Sequence, residues 1–144
     1  MHVFVDTNVF IYYLDRTDSK KHEAARLWLA ELWENRRGRI SFQVLQEFYS
    51  VGTQKWPALK SEIQSEVEEL FDWRPVVINR QIIKDSWEVQ ARYKISFWDS
   101  LIVSAAKAAS CRYLLTEDLQ EGQEMDGVVV VNPFRSSPGE IRAK

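Results

Sequence analysis

The sequence predicts an α/β domain: a three-layer sandwich whose central, mainly parallel sheet has about five strands. Three observations carry that expectation. Short apolar runs alternate with amphipathic stretches along the whole chain, the pattern of strands connected by helices. The run Val128-Val129-Val130-Val131 reads as a strand buried on both faces, which favours a parallel sheet covered by helices. The five Gly and four Pro fall mostly at apparent element ends.

Each element has a local reason. Val3-Phe4-Val5 is a short buried strand, and Asp6-Thr7-Asn8 offers N-caps for a helix reaching about Tyr13. Between Ser19 and Arg37 the residues Ala25, Trp28, Leu29, Leu32 and Trp33 recur at helical spacing, and Gly38 is placed to cap that helix. Arg39 to Phe42 reads as a second strand. A helix follows from about Gln43 to Thr53, with Val44, Leu45, Phe48, Tyr49 and Val51 inward. After Pro57 another amphipathic helix carries Leu59, Ile63, Val67, Leu70 and Phe71. Pro75 to Ile78 is a third strand, and Gln81 to Tyr93 a helix through Ile82, Ile83, Trp87 and Val89. Ser96, three residues before Asp99, opens the next helix in the manner of a capping box. Tyr113 to Leu115 and the valine run supply the last strands. Residues 1–134 thus form one domain, and the tail 135–144, with Ser136-Ser137-Pro138-Gly139, is expected to be frayed and flexible.

Composition narrows the function classes. A chain of 144 residues supports one domain and buries enough surface to fold without disulfides or a structural metal. One cysteine, Cys111, excludes a disulfide framework and fits a reducing cytoplasm. One Cys and two His cannot build a four-ligand zinc site. Asp6 stands too early for a signal peptide, and no apolar run is long enough for a membrane span, so a cytoplasmic domain with no membrane partner is expected. The net charge of −2 argues against a protein that coats nucleic acid by charge alone. No G-x-x-x-x-G-K-[ST], G-x-G-x-x-G or G-x-S-x-G motif occurs, and Asn8, where a second acid would follow Asp6, weakens an aspartyl-phosphate reading.

Four acids fall at the carboxyl end of the predicted sheet, where open α/β folds bind ligands. Asp6 ends the first strand, Glu47 borders the buried face of the helix after the second, Asp99 lies in a first helical turn, and Asp118 follows the fourth strand. Singly, Asp6 is an N-cap, Asp99 part of a capping box, Glu47 an edge residue and Asp118 a turn acid. Four such roles on separate elements do not predict convergence on one place. Two carboxylates about 5 Å apart repel by roughly 3 kcal/mol at an effective dielectric near 20, so a cluster demands a raised pKa or a cation. Oxygen donors without His or Cys select hard ions such as Mg²⁺ or Mn²⁺, which ease deprotonation of a water and neutralise phosphate. Metal-assisted hydrolysis of a phosphodiester is the reaction implied.

The blocks around these acids resemble the PIN domains, particularly the VapC-type toxin ribonucleases. The opening Phe4-Val5-Asp6-Thr7-Asn8-Val9-Phe10-Ile11-Tyr12 is similar to the start of that family. Val44 to Tyr49, Ser96 to Ile102, Leu115 to Leu119 and the closing Val130 to Phe134 agree in order and spacing. The resemblance covers roughly residues 1–134. It implies a Mg²⁺- or Mn²⁺-dependent endoribonuclease acting on RNA, a homodimer, held inactive by a cognate antitoxin protein. It assigns Asp6, Glu47 and Asp99 as core metal-site acids and Asp118 as the fourth. Thr7 or Asn8, and Thr116, match polar positions that orient acids or water. Glu117 and Glu121 stand nearby, but Asp118 follows Thr116 by two residues as the family pattern has it, leaving Glu117 as substitute. The competing reading is a catalytically inactive PIN-fold module that binds RNA or protein. Against it, a pure binder gains nothing from negative charge facing phosphate.

The remaining residues read more plainly. Trp28, Trp33 and Trp98 are expected in the core, Trp28 and Trp33 alternatively lining a dimer seam or an antitoxin groove and Trp98 alternatively walling the site. Arg36, Arg37 and Arg39 read as a solvated helix end with a weaker claim to a phosphate track, Cys111 as a buried small hydrophobe, and His22 as a packing residue.

Overall fold

The computed structural model describes residues 1–142. Its strands are β1 (His2–Val5), β2 (Gly38–Arg39), β3 (Cys111–Leu115), β4 (Glu124–Met125) and β5 (Val128–Val131). Its helices are α1 (Thr7–Leu14), α2 (Ser19–Glu34), α3 (Phe42–Lys55), α4 (Lys60–Leu70), α5 (Arg80–Tyr93), α6 (Phe97–Ala108) and α7 (Pro138–Arg142). One sheet of order β2-β1-β3-β5-β4 runs through the middle, parallel except for β4. This is the expected α/β sandwich. The three apolar residues of β1 are fully buried, as are Leu114 and Leu115 beside them, so the sheet's centre is the driest part of the molecule. α6 covers β3 and β5 with Val103, Ala105 and Ala106, small enough for the helix to lie close to the sheet. No helix among the described residues is long and apolar enough to cross a membrane.

Several expectations are corrected. The strand expected over residues 39–42 stops short, because Ser41 caps α3 by accepting from the Val44 N–H at 3.3 Å and Phe42 already belongs to that helix. The strand expected over residues 75–78 is a single bridge, Val76 with Ser41. A left-handed Arg74 (φ 53°) precedes it and the α5 cap Asn79 follows, leaving room for no more. β4 was not anticipated; it pairs with β5 through the two-residue turn Asp126-Gly127, both at positive φ. The described part of the tail carries α7. The Trp28 indole N–H donates to the carbonyls of Pro133 (3.1 Å) and Ser136 (2.9 Å), and Ile141 of α7 is buried. Ala143 and Lys144 lie outside the described residues.

Five residues expected in the core or on apolar helix faces are exposed: Val51, Phe71, Trp87, Trp33 at 43% and Trp98 at 66%. Trp33 sits in the last turn of α2, its ring 6.0 Å from that of Trp73. Trp98 occupies the first turn of α6, its ring 5.5 Å from that of Phe97. Trp28, Cys111 and His22 behave as expected. Burial pushes the Cys111 thiol up to about 12, which makes it an inert packing group at neutral pH.

Gly38 has a different duty from the expected cap. Asn35 caps α2, and the left-handed residue after it is Arg36 (φ 56°). Gly38 instead faces the Trp73 ring so closely that an added Cβ would lie 2.4 Å from Cη2. The ring is buried and packed against Phe10 and Trp33, so yielding would disturb both of those contacts. Gly38→Ala is therefore expected to cost about 1–3 kcal/mol of stability, read as a lowered urea midpoint with the slope preserved. An unchanged midpoint would show that the ring can yield.

Candidate active site

The site grows from the end of β1. The Asp6 N–H still pairs with the Leu115 carbonyl of β3 (3.0 Å), so the sheet holds the Asp6 backbone, but its side chain has left the ladder. Oδ1 accepts from the Thr7 N–H at 2.7 Å, capping α1. Oδ2 accepts from the Thr116 hydroxyl at 2.9 Å, just beyond β3. Thr116 Oγ1 in turn accepts from the Asp118 N–H (3.1 Å) and the Asn8 side-chain amide (3.2 Å). That amide also donates to Asp118 Oδ2 at 3.0 Å. On the other side the Thr7 hydroxyl donates to Glu47 Oε2 at 3.2 Å, and the Gln43 amide to Oε1 at 2.9 Å. Asp6, Glu47 and Asp118 are thus tied into one network by Thr7, Asn8 and Thr116.

Asp99 approaches from α6. Ser96 caps that helix, its Oγ accepting from the Asp99 N–H at 3.0 Å as the sequence suggested. The Asp99 carboxylate makes no hydrogen bond to the other three acids. Its link to them is charge: burial raises its pKa most, hydrogen bonding by Ser96 lowers it, and Asp118 and Glu47 raise it further. Asp6, at 7% exposure, is the extreme case. Burial pushes its carboxyl up to about 7; Thr116 and Thr7 oppose this through hydrogen bonds, while Asp118 and Glu47 add repulsion.

Among the described residues, no lysine, arginine or histidine forms an ion pair with any of these four acids. Nor do any three acidic, His or Cys side chains among the described residues stand close enough to hold an ion as they are. Yet the donor chemistry suits a hard cation: oxygens only, a buried carboxylate with like charges around it, and Asn8 Oδ1 buried without a partner. Glu117, the substitute for the fourth acid, is engaged elsewhere, paired with Lys21 Nζ at 2.9 Å. Glu121 accepts from the Asn132 N–H and the Ser136 hydroxyl and closes the loop after β5.

Two residues of this neighbourhood escaped the sequence reading. Gln43 stands four residues before Glu47, a spacing that puts both on one helix face, so a signal existed. Lys21 had none. It reaches Glu117 across 96 positions of sequence, with its ammonium 4.8 Å from the Tyr12 ring centre and 5.1 Å from that of Phe134.

The PIN domain family profile matches residues 3–121 of the chain. The chain belongs to the PIN domain family. Its fold is also that of solved family structures. A toxin–antitoxin complex from Klebsiella pneumoniae aligns with TM-score 0.63 and 21% identity, over 92% of this chain and 98% of that one. VapBC2 from Rickettsia felis, bound to a DNA fragment from its promoter, aligns with TM-score 0.59 and 22% identity over the same shares. VapC20 from Mycobacterium tuberculosis, a toxin that cleaves the sarcin–ricin loop, aligns with TM-score 0.58 and 16% identity, over 78% and 86%. Among curated proteins none matches the chain.

The raised pKa of Asp6 gives it a contribution to stability that falls with pH in chelating buffer. Native Asp6 keeps its proton up to about pH 7, whereas the unfolded chain releases it near 3.8. That contribution is fully present below about pH 4, declines as pH rises to about 7, and is absent above. Asp6→Asn removes the Asp6 part of the decline, and Asp99 acts in the same direction. In EDTA at pH 8 the variant is expected to melt roughly 3–8 °C above the wild type, and at pH 4 to show no gain. Equal losses at both pH values would contradict the account.

Proposed function

We propose that this PIN domain is a metal-dependent endoribonuclease and the toxin of a type II toxin–antitoxin pair. The observation that carries the reading is the Asp6 carboxylate, buried at the sheet's end, joined by hydrogen bonds to groups that also hold Glu47 and Asp118, and lacking a cationic partner among the described residues. Burying such a group without a cation is costly, and groups of this kind cluster at functional sites. The neighbours add support, two being toxin–antitoxin complexes and one a toxin that cleaves the sarcin–ricin loop.

In this reading Asp6 and Asp99 hold a divalent ion, Mg²⁺ or Mn²⁺, with Glu47 binding directly or through water and Asp118 completing the set, which asks the exposed Glu47 and Asp118 to change rotamer. Bound there, the ion supplies positive charge against the scissile phosphate and eases deprotonation of an attacking water. The protein's own groups do the positioning. Thr116 fixes one Asp6 oxygen and the α1 amide the other, so the carboxylate plane is set before substrate arrives. Thr7 and Gln43 together fix Glu47. Asn8 orients Asp118, which either binds the ion or holds the water. The exposed indole of Trp98, next to Asp99 in sequence, offers a face on which an unpaired base stacks, in keeping with RNA loops as substrate. The partners proposed are a cognate antitoxin protein and a second copy of the chain, and the compartment is the cytoplasm.

The test is cleavage of structured RNA with Mg²⁺ or Mn²⁺ and its loss in EDTA. Asp6→Asn and Asp99→Asn are expected to lower the rate on the order of 10²-fold or more while the fold, followed by circular dichroism, persists. Asp118→Asn should cost more than Glu117→Gln. Expression should arrest growth, and Asp6→Ala should relieve the arrest. Absence of cleavage with either ion on every RNA tried would leave the binding module as the surviving alternative.

A further inference from the structure

At the other end of β1 from Asp6 lies a cavity of about 420 Å³ lined by Trp33, Arg36, Arg39, Asp72, Trp73 and Arg74. Its volume lies within the range of small-molecule sites. Three arginines and one aspartate line it, and among the described residues none of those arginines forms an ion pair. Arg37 stands beside them, its side chain hydrogen-bonded to the Met1 carbonyl. Arg39 is fixed, donating to the Gly38 carbonyl at 2.8 Å and reaching His2 Nε2 at 3.1 Å. His2 feels the same field: burial lowers its pKa first, then Arg39, with Arg74 and Arg37 adding to the effect. Arg36 and Arg74, the two left-handed residues here, project their exposed side chains from the turns that frame the opening. Unpaired arginines gathered this way repel one another, and an anion relieves the repulsion.

The aromatic walls say which anion. Trp73 is buried and held by Gly38, whereas Trp33 shows nearly half its surface and lies 6.0 Å from Trp73, tilted by 33°. An exposed indole beside guanidinium groups accepts a flat heteroaromatic ring by stacking, while the guanidinium forks accept phosphate in bidentate fashion. Asp72, the single carboxylate, is an acceptor suited to a sugar hydroxyl or an exocyclic amine. We propose that this cavity binds a nucleotide phosphate, with the base on Trp33 and the phosphate on Arg36, Arg39 and Arg74. The site is separate from the acids, which lie beyond the opposite end of the same strand, and it does not depend on the nuclease reading.

The ligand is either a free mononucleotide or a nucleotide within an RNA strand, and the experiment distinguishes them. AMP is titrated calorimetrically into the full chain in EDTA, with inorganic phosphate as comparison. Binding is expected to be at least tenfold tighter for AMP than for phosphate. It should weaken tenfold or more in Arg36→Gln/Arg74→Gln, weaken several-fold in Trp33→Ala, and persist in Asp6→Asn. A short oligoribonucleotide that displaces AMP identifies the strand as the source, and one that does not identifies the free nucleotide; either supports a nucleotide site. No heat with AMP at millimolar concentration, binding indifferent to the double arginine substitution, or binding lost in Asp6→Asn would overturn it. Because EDTA suppresses metal-dependent cleavage, failure here leaves the proposed nuclease untouched, and the reverse also holds.

Discussion

One carboxylate organises this end of the molecule. Asp6 ends β1, caps α1 and receives the Thr116 hydroxyl from the segment leaving β3, so three chain segments meet on two oxygens. Each hydrogen bond favours the charged form, while burial and the charges of Asp118 and Glu47 favour the neutral one, and the opposing influences place its titration near neutrality. An uncharged residue capping α1 would give a more stable protein by ordinary reckoning. Local rules for helix capping and for burial thus disagree at Asp6, and sites where they disagree are where function is to be sought.

The parts of the fold legible in the sequence are those whose cause is local. β1, β5 and the helices follow from apolar periodicity, and Ser96 and Asp6 act as caps because capping needs only the next few residues. The illegible parts depend on distant partners. Gly38 looks like a helix cap until Trp73, 35 positions later, is seen to occupy the space of its Cβ. Trp28 holds two carbonyls near the start of the tail, Pro133 and Ser136, across more than a hundred positions of sequence. Trp33 and Trp98 are expected in the core, but each stands in a terminal turn of its helix and is exposed. The β4–β5 hairpin is a different case. Asp126-Gly127 is a local turn signal, obscured because the strand it introduces has only two residues.

Net charge concealed an asymmetry. A total of −2 argued against electrostatic nucleic-acid binding, and as an average it is sound. The fold separates the charges, however, collecting acids beyond the carboxyl end of β1 and unpaired arginines about its amino end. Four residues of strand span about 13 Å, so the opposite charges at its two ends stand too far apart to pair with one another. Each end then acts on its surroundings almost independently, so sequence totals say little about either.

The assignment of Asp118 shows how a spacing acquires a cause. Thr116 is still held at the sheet, its N–H on the Val131 carbonyl at 3.0 Å. The chain then bends over residues 117–119, just beyond β3. Thr116 donates to Asp6, whereas Glu117 pairs with Lys21 of α2. Asp118 returns to the side of Thr116, where its own N–H rests on the threonine hydroxyl and its carboxylate meets Asn8. The threonine and the acid two residues later therefore belong together through a side-chain turn, the Thr116 hydroxyl accepting the Asp118 N–H. Exchanging the residues at 117 and 118 would keep the composition and the charge and still take the acid off Asn8.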